Sequence, residues 1–455
     1  HCVCGGEHKD VGDHDSEEKP EMWTGVADLS EIQADGYYYL TQSVELSTRW
    51  TAPDADIVLC LNGYSIISKC TEASYEVIRL MQGRTFTLTN CKETGTVTHA
   101  EGAYGPGVWV NNGTFKLYHA AISGNTGSSY GGVYVGANAA FYMYSGKITQ
   151  NDATSRQGYD GIGGGVYAGG SFYMYGGEIT DNQAKTKGGG VFVSAGSNNT
   201  AAAVFTVSGD VTITGNTVNN TDNNVYLSYS RIDESTTNYS AITVDGLGQN
   251  AAIGVTSESK PTAENPVEIA SGAQSGDARR ITSDSAAYAV TFENGSLLLA
   301  DVTTLHYHPV CGQTCSHLKN GKPIHPSVLW TGVSSLDEIT DEGNYYLEKN
   351  VKYGTRTNSF GSWTEDWWPA DGVRLCLHGH DVIGTGSDRS VVIDNNREFT
   401  LTDCSDTPGS ITHQPGPGSI SAYTIEGDGV EVRSGTFNMY GGKIAENRSD
   451  SGVDA

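Results

Sequence analysis

From residue 107 onward, apolar and polar positions alternate in short runs that recur along the chain. Val108-Trp109-Val110 is followed by Phe115-Lys116-Leu117 and then by Ile122, with Asn125 three positions later. The same order returns as Val133-Tyr134-Val135, Phe141-Tyr142-Met143, Ile148 and Asn151. It returns again as Val166-Tyr167, Phe172-Tyr173-Met174, Ile179 and Asn182, then as Val191-Phe192-Val193, Phe205-Thr206-Val207, Ile213 and Asn216. A further copy begins at Val225-Tyr226-Leu227. A period of two predicts strands with one buried face, and runs this short lack helical spacing. Three such strands per unit, separated by Gly-rich turns and stacked unit on unit, predict an all-β solenoid, a right-handed parallel β-helix. The inward positions are then the Val residues at 108, 133, 166, 191 and 225, the Phe residues at 115, 141, 172 and 205, and the Ile residues at 122, 148, 179 and 213. Asn125, Asn151, Asn182 and Asn216 fit a ladder of buried amides, each bonded to its equivalent one turn away. Unequal unit lengths place insertions at Asp152–Ile162 and Ser194–Ala203.

A longer duplication lies above this repeat. Trp23-Thr24-Gly25-Val26 recurs as Trp330-Thr331-Gly332-Val333, and Leu59-Cys60-Leu61-Asn62-Gly63 as Leu375-Cys376-Leu377-His378-Gly379. Phe86-Thr87-Leu88-Thr89-Asn90-Cys91 recurs as Phe399-Thr400-Leu401-Thr402-Asp403-Cys404. The expected organisation is therefore tandem. A Cys/His segment over 1–30 precedes a first β-helix module over 31–305, and a second Cys/His segment over 306–335 precedes a shortened module over 336–455. Residues 224–300 break the short grammar and are expected to supply closing strands that cap the sheet edge.

Composition narrows the partners. Gly is abundant at 58 residues against 12 Pro, which suits tight turns in a β-rich fold. The formal net charge of −26 opposes nucleic acid and anionic membranes. No apolar run is long enough to insert in a bilayer. The absence of a leader at His1 and the stop inside a repeat suggest an excised fragment.

The Cys-Val-Cys-Gly-Gly opening, the Leu-Cys-Leu-Asn-Gly strand, the Gly-Gly-Gly-Val-Tyr coils and the Asn-Val-Tyr-Leu close resemble secreted, adhesin-like β-helix proteins of anaerobic gut Gram-positive bacteria. These are grouped by shape with the pectate-lyase superfamily. The resemblance covers nearly the whole chain and implies a secreted or cell-surface setting. It is specific for fold and group but not for an activity.

Each module opens with soft and borderline metal ligands: Cys2, Cys4, His8 and His14 in the first, Cys311, Cys315, His317 and His325 in the second, with His306 and His308 just before. Such sets suit a tetrahedral structural zinc in a segment with little core of its own. Cys311 can alternatively pair with Cys315 in an oxidising medium. Cys60 with Cys91, and Cys376 with Cys404, recur about one coil apart, as buried thiols or as disulfides.

Two functional surfaces compete. Polysaccharide hydrolases or lyases on such a fold need converging carboxylates or a base beside acidic calcium ligands. Asp152, Asp160, Glu178, Asp181 and Asp210 are the best carboxylates, with Asp152 and Asp181, each beside a ladder Asn, as the catalytic alternative; against this, the set reads as ordinary solvated turn residues. The second surface is aromatic: Trp109, Tyr134, Tyr167, Phe192 and Tyr226 occupy the outward position of successive first strands, about 4.8 Å apart per rung. Tyr142 and Tyr173 form an outward pair on the next face. Such a row can take sugar rings or a host surface protein, or simply stack to stabilise the sheet. The favoured expectation is a non-enzymatic recognition scaffold, with a polysaccharide-cleaving enzyme and a ligandless stalk as alternatives.

Overall fold

The computed structural model describes residues 22–447, except 72–73, 154–159, 198–199, 233–235, 263–264, 313–317, 320–321, 324, 326, 354–355, 359–360, 364–365, 385–390, 414–428 and 446. The chain divides into two compact units, His1–Asp301 and Val302–Ala455. Among the described residues, helix is limited to short 3-10 turns such as Leu29–Glu31, and no helix is long and apolar enough to cross a membrane.

Unit 1 is all-β and built from columns of parallel strands, an arrangement compatible with a parallel β-helix. The first column runs through Ile78–Leu80, the leading part of Val108–Leu117 and of Val133–Met143, then Val166–Ala168, Val191–Val193 and Val225–Leu227. Its register pairs Val108 with Val133, Val133 with Val166, Val166 with Val191 and Val191 with Val225. A second column pairs Phe86, Phe115, Phe141, Phe172 and Phe205 in turn, and a third pairs Ile122, Ile148, Ile179 and Ile213. Val108–Leu117 and Val133–Met143 each supply two columns as one bent strand. The bend in the first falls beside Gly113, which has φ +102, where a Cβ would lie 2.4 Å from the carbonyl oxygen of Arg84.

Every expected inward Val, Phe and Ile is fully or almost fully buried. The phenyl rings stack down the core, with centroid separations of 5.0 Å for Phe115–Phe141, 4.8 Å for Phe141–Phe172 and 5.0 Å for Phe172–Phe205. Burying one such side chain contributes about 1.5–3 kcal/mol, and a slip of one residue would turn the whole column outward.

The parallel stack begins earlier and ends later than the short grammar. Thr24–Val26, Gly36–Leu40 and Ile57–Cys60 already pair in parallel, one upon the next. Beyond residue 224, Ile242–Leu247, Ala252–Ser257 and Ile281–Ser283 go on stacking. The closing element is narrower than residues 224–300: Tyr288–Glu293 and Ser296–Asp301 pair antiparallel, and the latter also lies antiparallel to Val267–Ser271. That reversal occupies an edge that would otherwise offer unpaired backbone groups. Unit 2 repeats the opening rungs in the same register, with Thr331 opposite Tyr345 as Thr24 is opposite Tyr38, and Leu375 opposite Leu401 as Leu59 is opposite Leu88.

The asparagine ladder is continuous and runs in one direction. Each Nδ2 donates to the next Oδ1, at 2.9 Å for Asn125–Asn151, Asn151–Asn182 and Asn182–Asn216. Asn224 extends it at 3.0 Å, and the carboxylate of Asp284 accepts from Asn224 Nδ2 at 2.6 Å. At the opposite end His99 Nδ1 faces Asn125 Oδ1 at 2.8 Å, while His99 Nε2 faces the Tyr75 carbonyl oxygen at 2.8 Å. Both oxygens can only accept, so the His99 ring closes this end of the ladder through its ring nitrogens. The aligned amides thus run from the His99 ring to the Asp284 carboxylate, and each amide of the ladder finds a partner.

Candidate functional site

The outward aromatic row follows from the same register: Trp109 opposes Tyr134, Tyr134 opposes Tyr167, Tyr167 opposes Phe192, and Phe192 opposes Tyr226. Successive centroids lie 3.9, 5.3, 5.4 and 5.8 Å apart, with planes nearly parallel. Ring faces are therefore spent on one another, and edges and hydroxyls meet solvent. Trp109, Tyr134 and Tyr167 are half-buried. Phe192 and Tyr226 are only 8% and 9% exposed, so an open strip over all five rings is not what forms. Phe192 is enclosed between Tyr167 and Tyr226. Lys187 and Glu258 pair across Tyr226, with the Lys187 ammonium 5.3 Å from the ring centroid.

Tyr130, which the alternation does not single out because it lies in a turn, packs on the row at 5.9 Å from Trp109, 4.7 Å from Tyr134 and 4.6 Å from Tyr167. Burial, with neighbouring phenols behind it, pushes the Tyr130 and Tyr134 hydroxyls above their ordinary range, so they stay protonated and able to donate. On the next face the outward pair Tyr142–Tyr173 stacks at 4.7 Å, beside a second column of Tyr118, Tyr144 and Tyr175 spaced 4.5 and 5.3 Å apart.

The carboxylate candidates do not assemble. Opposite Asp152 stand Thr126 and Gln183, not Asp181. Asp181 is exposed in a left-handed turn at φ 55, the place that Gln150 holds one rung earlier at φ 56. Half-burial raises the Asp152 carboxyl. Glu178 pairs with Lys147 at 3.1 Å, and Asp210 accepts from the Asn250 amide at 2.9 Å.

A metal-ligating group lies in unit 2. His306, His308, Cys376 and Cys404 bring their donor atoms within 4.8 Å of one another. Cys376 ends the strand Val373–Cys376, and Cys404 follows Arg397–Thr402 in the neighbouring rung. The sulfurs are 3.5 Å apart, the two Nε2 atoms 3.0 Å, and Cys404 Sγ is 3.4 Å from His306 Nε2. A tetrahedral zinc would set about 3.8 Å between sulfurs, about 3.3 Å between nitrogens and about 3.6 Å between unlike donors. These three contacts are each a few tenths of an ångström shorter than in a loaded site, while the four donors as a set spread within 4.8 Å.

The ring orientation also fits a metal. His308 Nδ1 lies 2.7 Å from the Pro309 carbonyl oxygen, and the opposite nitrogen, Nε2, is the one aimed at the group. Hydrogen bonding from Cys376, His306 and His308 holds the Cys404 thiol well below its ordinary range, while the Cys376 thiol is driven up by its bond to Cys404 and by burial. Trp330 stacks on His308 at 4.5 Å and donates to its carbonyl oxygen at 3.0 Å, and with Val310 it walls the two thiols.

This group differs from the sets expected from the sequence. Cys311 is half-buried and His325 packs edge-on to Tyr440 at 5.0 Å; neither joins it. Both were paired with neighbours in sequence, whereas folding draws the thiols from two rungs and the imidazoles from the segment before them. Cys2, Cys4, His8, His14, Cys315 and His317 lie outside the described residues. Cys60, Cys70, Cys376 and Cys404 are buried, and the Cys376 and Cys404 sulfurs lie 3.5 Å apart. Comparison with protein-family models, curated proteins and solved structures finds no match to this chain.

Proposed function

We propose that the chain is a non-enzymatic recognition scaffold of the secreted or cell-surface kind, built on a right-handed parallel β-helix, that binds glycan along its first aromatic face. The observation that carries this reading is the register of Trp109, Tyr134 and Tyr167, half-exposed and buttressed by Tyr130. Because their faces are stacked, the ligand meets a comb of ring edges and protonated phenols. Such a comb exchanges hydrogen bonds with sugar hydroxyls while the ring edges cover sugar C–H groups. The net charge of −26 favours a neutral glycan over an anionic one. A host protein docking on the same face is the other outcome of the test.

In this reading the group of His306, His308, Cys376 and Cys404 holds a structural zinc. All four positions are taken by protein atoms, which leaves no open place for a reacting water. The test is glycan-array binding of the intact chain against the double variant Trp109→Ala, Tyr167→Ala. Loss of binding with unchanged circular dichroism is expected. Equal binding by both proteins would sink the aromatic site.

A further inference from the structure

We propose that the Trp109 end of the aromatic row carries an anion subsite, formed by Arg79 and Arg49, that takes the carboxylate of one terminal acidic sugar. The proposal rests on the glycan reading and deepens it: the ligand is neutral along its length and charged at one end. The outward positions of the first column continue past Trp109. Arg79 stands opposite Trp109 on the preceding rung, and Thr51 stands opposite Arg79 on the rung before that. Ile78 and Leu80, on either side of Arg79, are buried, so the guanidinium shares the outer face with the rings. The row thus passes from tyrosines through Trp109 to a cation within one rung spacing of about 4.8 Å.

Glu76 holds this cation in place. Its side chain is 3% exposed and meets both arginines: Arg79 Nε donates to Glu76 Oε1, and Arg49 Nη1 lies 3.5 Å from the same oxygen. Arg49 also lies over the Tyr75 ring, 3.9 Å from its centroid. Among the described residues of unit 1, Lys69, Arg84, Lys147 and Lys187 each pair with a carboxylate that no second cation shares. Here two guanidiniums share one carboxylate, so one positive charge is left over on a chain whose net charge is −26.

The arginines also keep donors to spare. Among the described residues the two Nη groups of Arg79 have no partner, and the Arg79 and Arg49 side chains are 28% and 24% exposed. A guanidinium held at Nε presents its Nη groups as a planar fork, which matches a carboxylate through two parallel bonds. Because a buried carboxylate already fixes the Arg79 side chain, binding costs little further rotamer entropy. The acidic surface still opposes a polyanion, but its field is screened beyond about 8 Å at physiological ionic strength, and a single charge seated against the fork meets the local cation first.

The test is binding of the intact chain to matched glycan pairs: sialylated oligosaccharides with their desialylated forms, and oligosaccharides capped by one uronic acid with their carboxyl-reduced forms. The acidic member is expected to bind about tenfold tighter in at least one set, which identifies the sugar, and added salt is expected to shrink that advantage. Arg79→Ala is expected to bring the two members level. Equal binding within every pair overturns the subsite and leaves the aromatic reading standing. An acidic preference that Arg79→Ala removes, in a chain whose binding survives Trp109→Ala with Tyr167→Ala, overturns the aromatic reading and leaves the subsite. Binding of no glycan by the parent chain overturns both. Should Arg79→Ala misfold, Arg79→Lys decides, because it keeps the charge beside Glu76 and loses the fork: most of the preference is expected to go, and its full retention overturns the proposal.

Discussion

Replacing Asn182 by Ala removes the central rung of the buried amide ladder. The side-chain oxygen of Asn182 accepts from the Asn151 backbone amide at 3.0 Å and from Asn151 Nδ2 at 2.9 Å. Its nitrogen donates to the carbonyls of Ile148 and Thr180 and to Asn216 Oδ1, at 2.8, 2.9 and 2.9 Å. In Asn182→Ala, the Asn151 backbone amide loses this acceptor in a site where water does not reach. Asn151 Nδ2 is less affected, since it keeps its bond to the Ile122 carbonyl at 2.9 Å. A buried donor left unmet costs about 1–3 kcal/mol, and the weakened neighbours bring the expected loss to about 2–4 kcal/mol. The assay is urea unfolding of the intact chain followed by circular dichroism, with amide exchange at Asn151 as a local readout. Asn138→Ala is the control, since Asn138 is exposed and such changes fall within about 0.5 kcal/mol. A loss for Asn182→Ala no larger than the control's, or unchanged exchange at Asn151, would show that the ladder contributes no stability.

Three further outcomes are expected. Phe141→Ala should destabilise unit 1 by about 3–5 kcal/mol in the same assay, because Phe115 and Phe172 cover both faces of the ring and leave little room for collapse. Asp152→Asn should raise stability at neutral pH and flatten its pH dependence. Burial raises this carboxyl in the folded chain, so the native state holds the proton more tightly, and stability falls as pH climbs from the unfolded value of about 3.9 to the raised native one. A parallel pH profile for the variant would contradict that sign. Removing metal with a chelator should lower the melting temperature of unit 2, and Cys404→Ser should abolish the difference between loaded and stripped protein.

Much of the fold was legible because its determinants are local and repeated. Period-two alternation says which face of a strand is buried, and the recurrence of Phe115, Phe141 and Phe172 seven residues ahead of Ile122, Ile148 and Ile179 sets register, since any slip exposes a phenyl ring. The ladder was readable on the same grounds: an Asn three residues after each buried Ile has its amide carried to the same corner every turn. The register of the rungs before residue 107 was not, although they fall within the module expected over 31–305, because Gly36–Leu40 and Ile57–Cys60 lack the repeating Phe and Asn.

By itself, then, the sequence determined the parallel columns, the inward residues, the interior of the ladder and the duplication that relates the two units. Tertiary structure alone decided how the columns end and what covers them. His99 and Asp284 cap the ladder from outside the repeat, and Lys187 with Glu258, far apart in the chain, closes over Tyr226. It also decided the metal group, where imidazoles from one segment meet thiols from two later rungs. The physical reason is common to all three. A repeat specifies contacts between equivalent residues one turn apart, whereas caps, covers and ligand sets join residues that no period relates, and only the folded backbone brings those together.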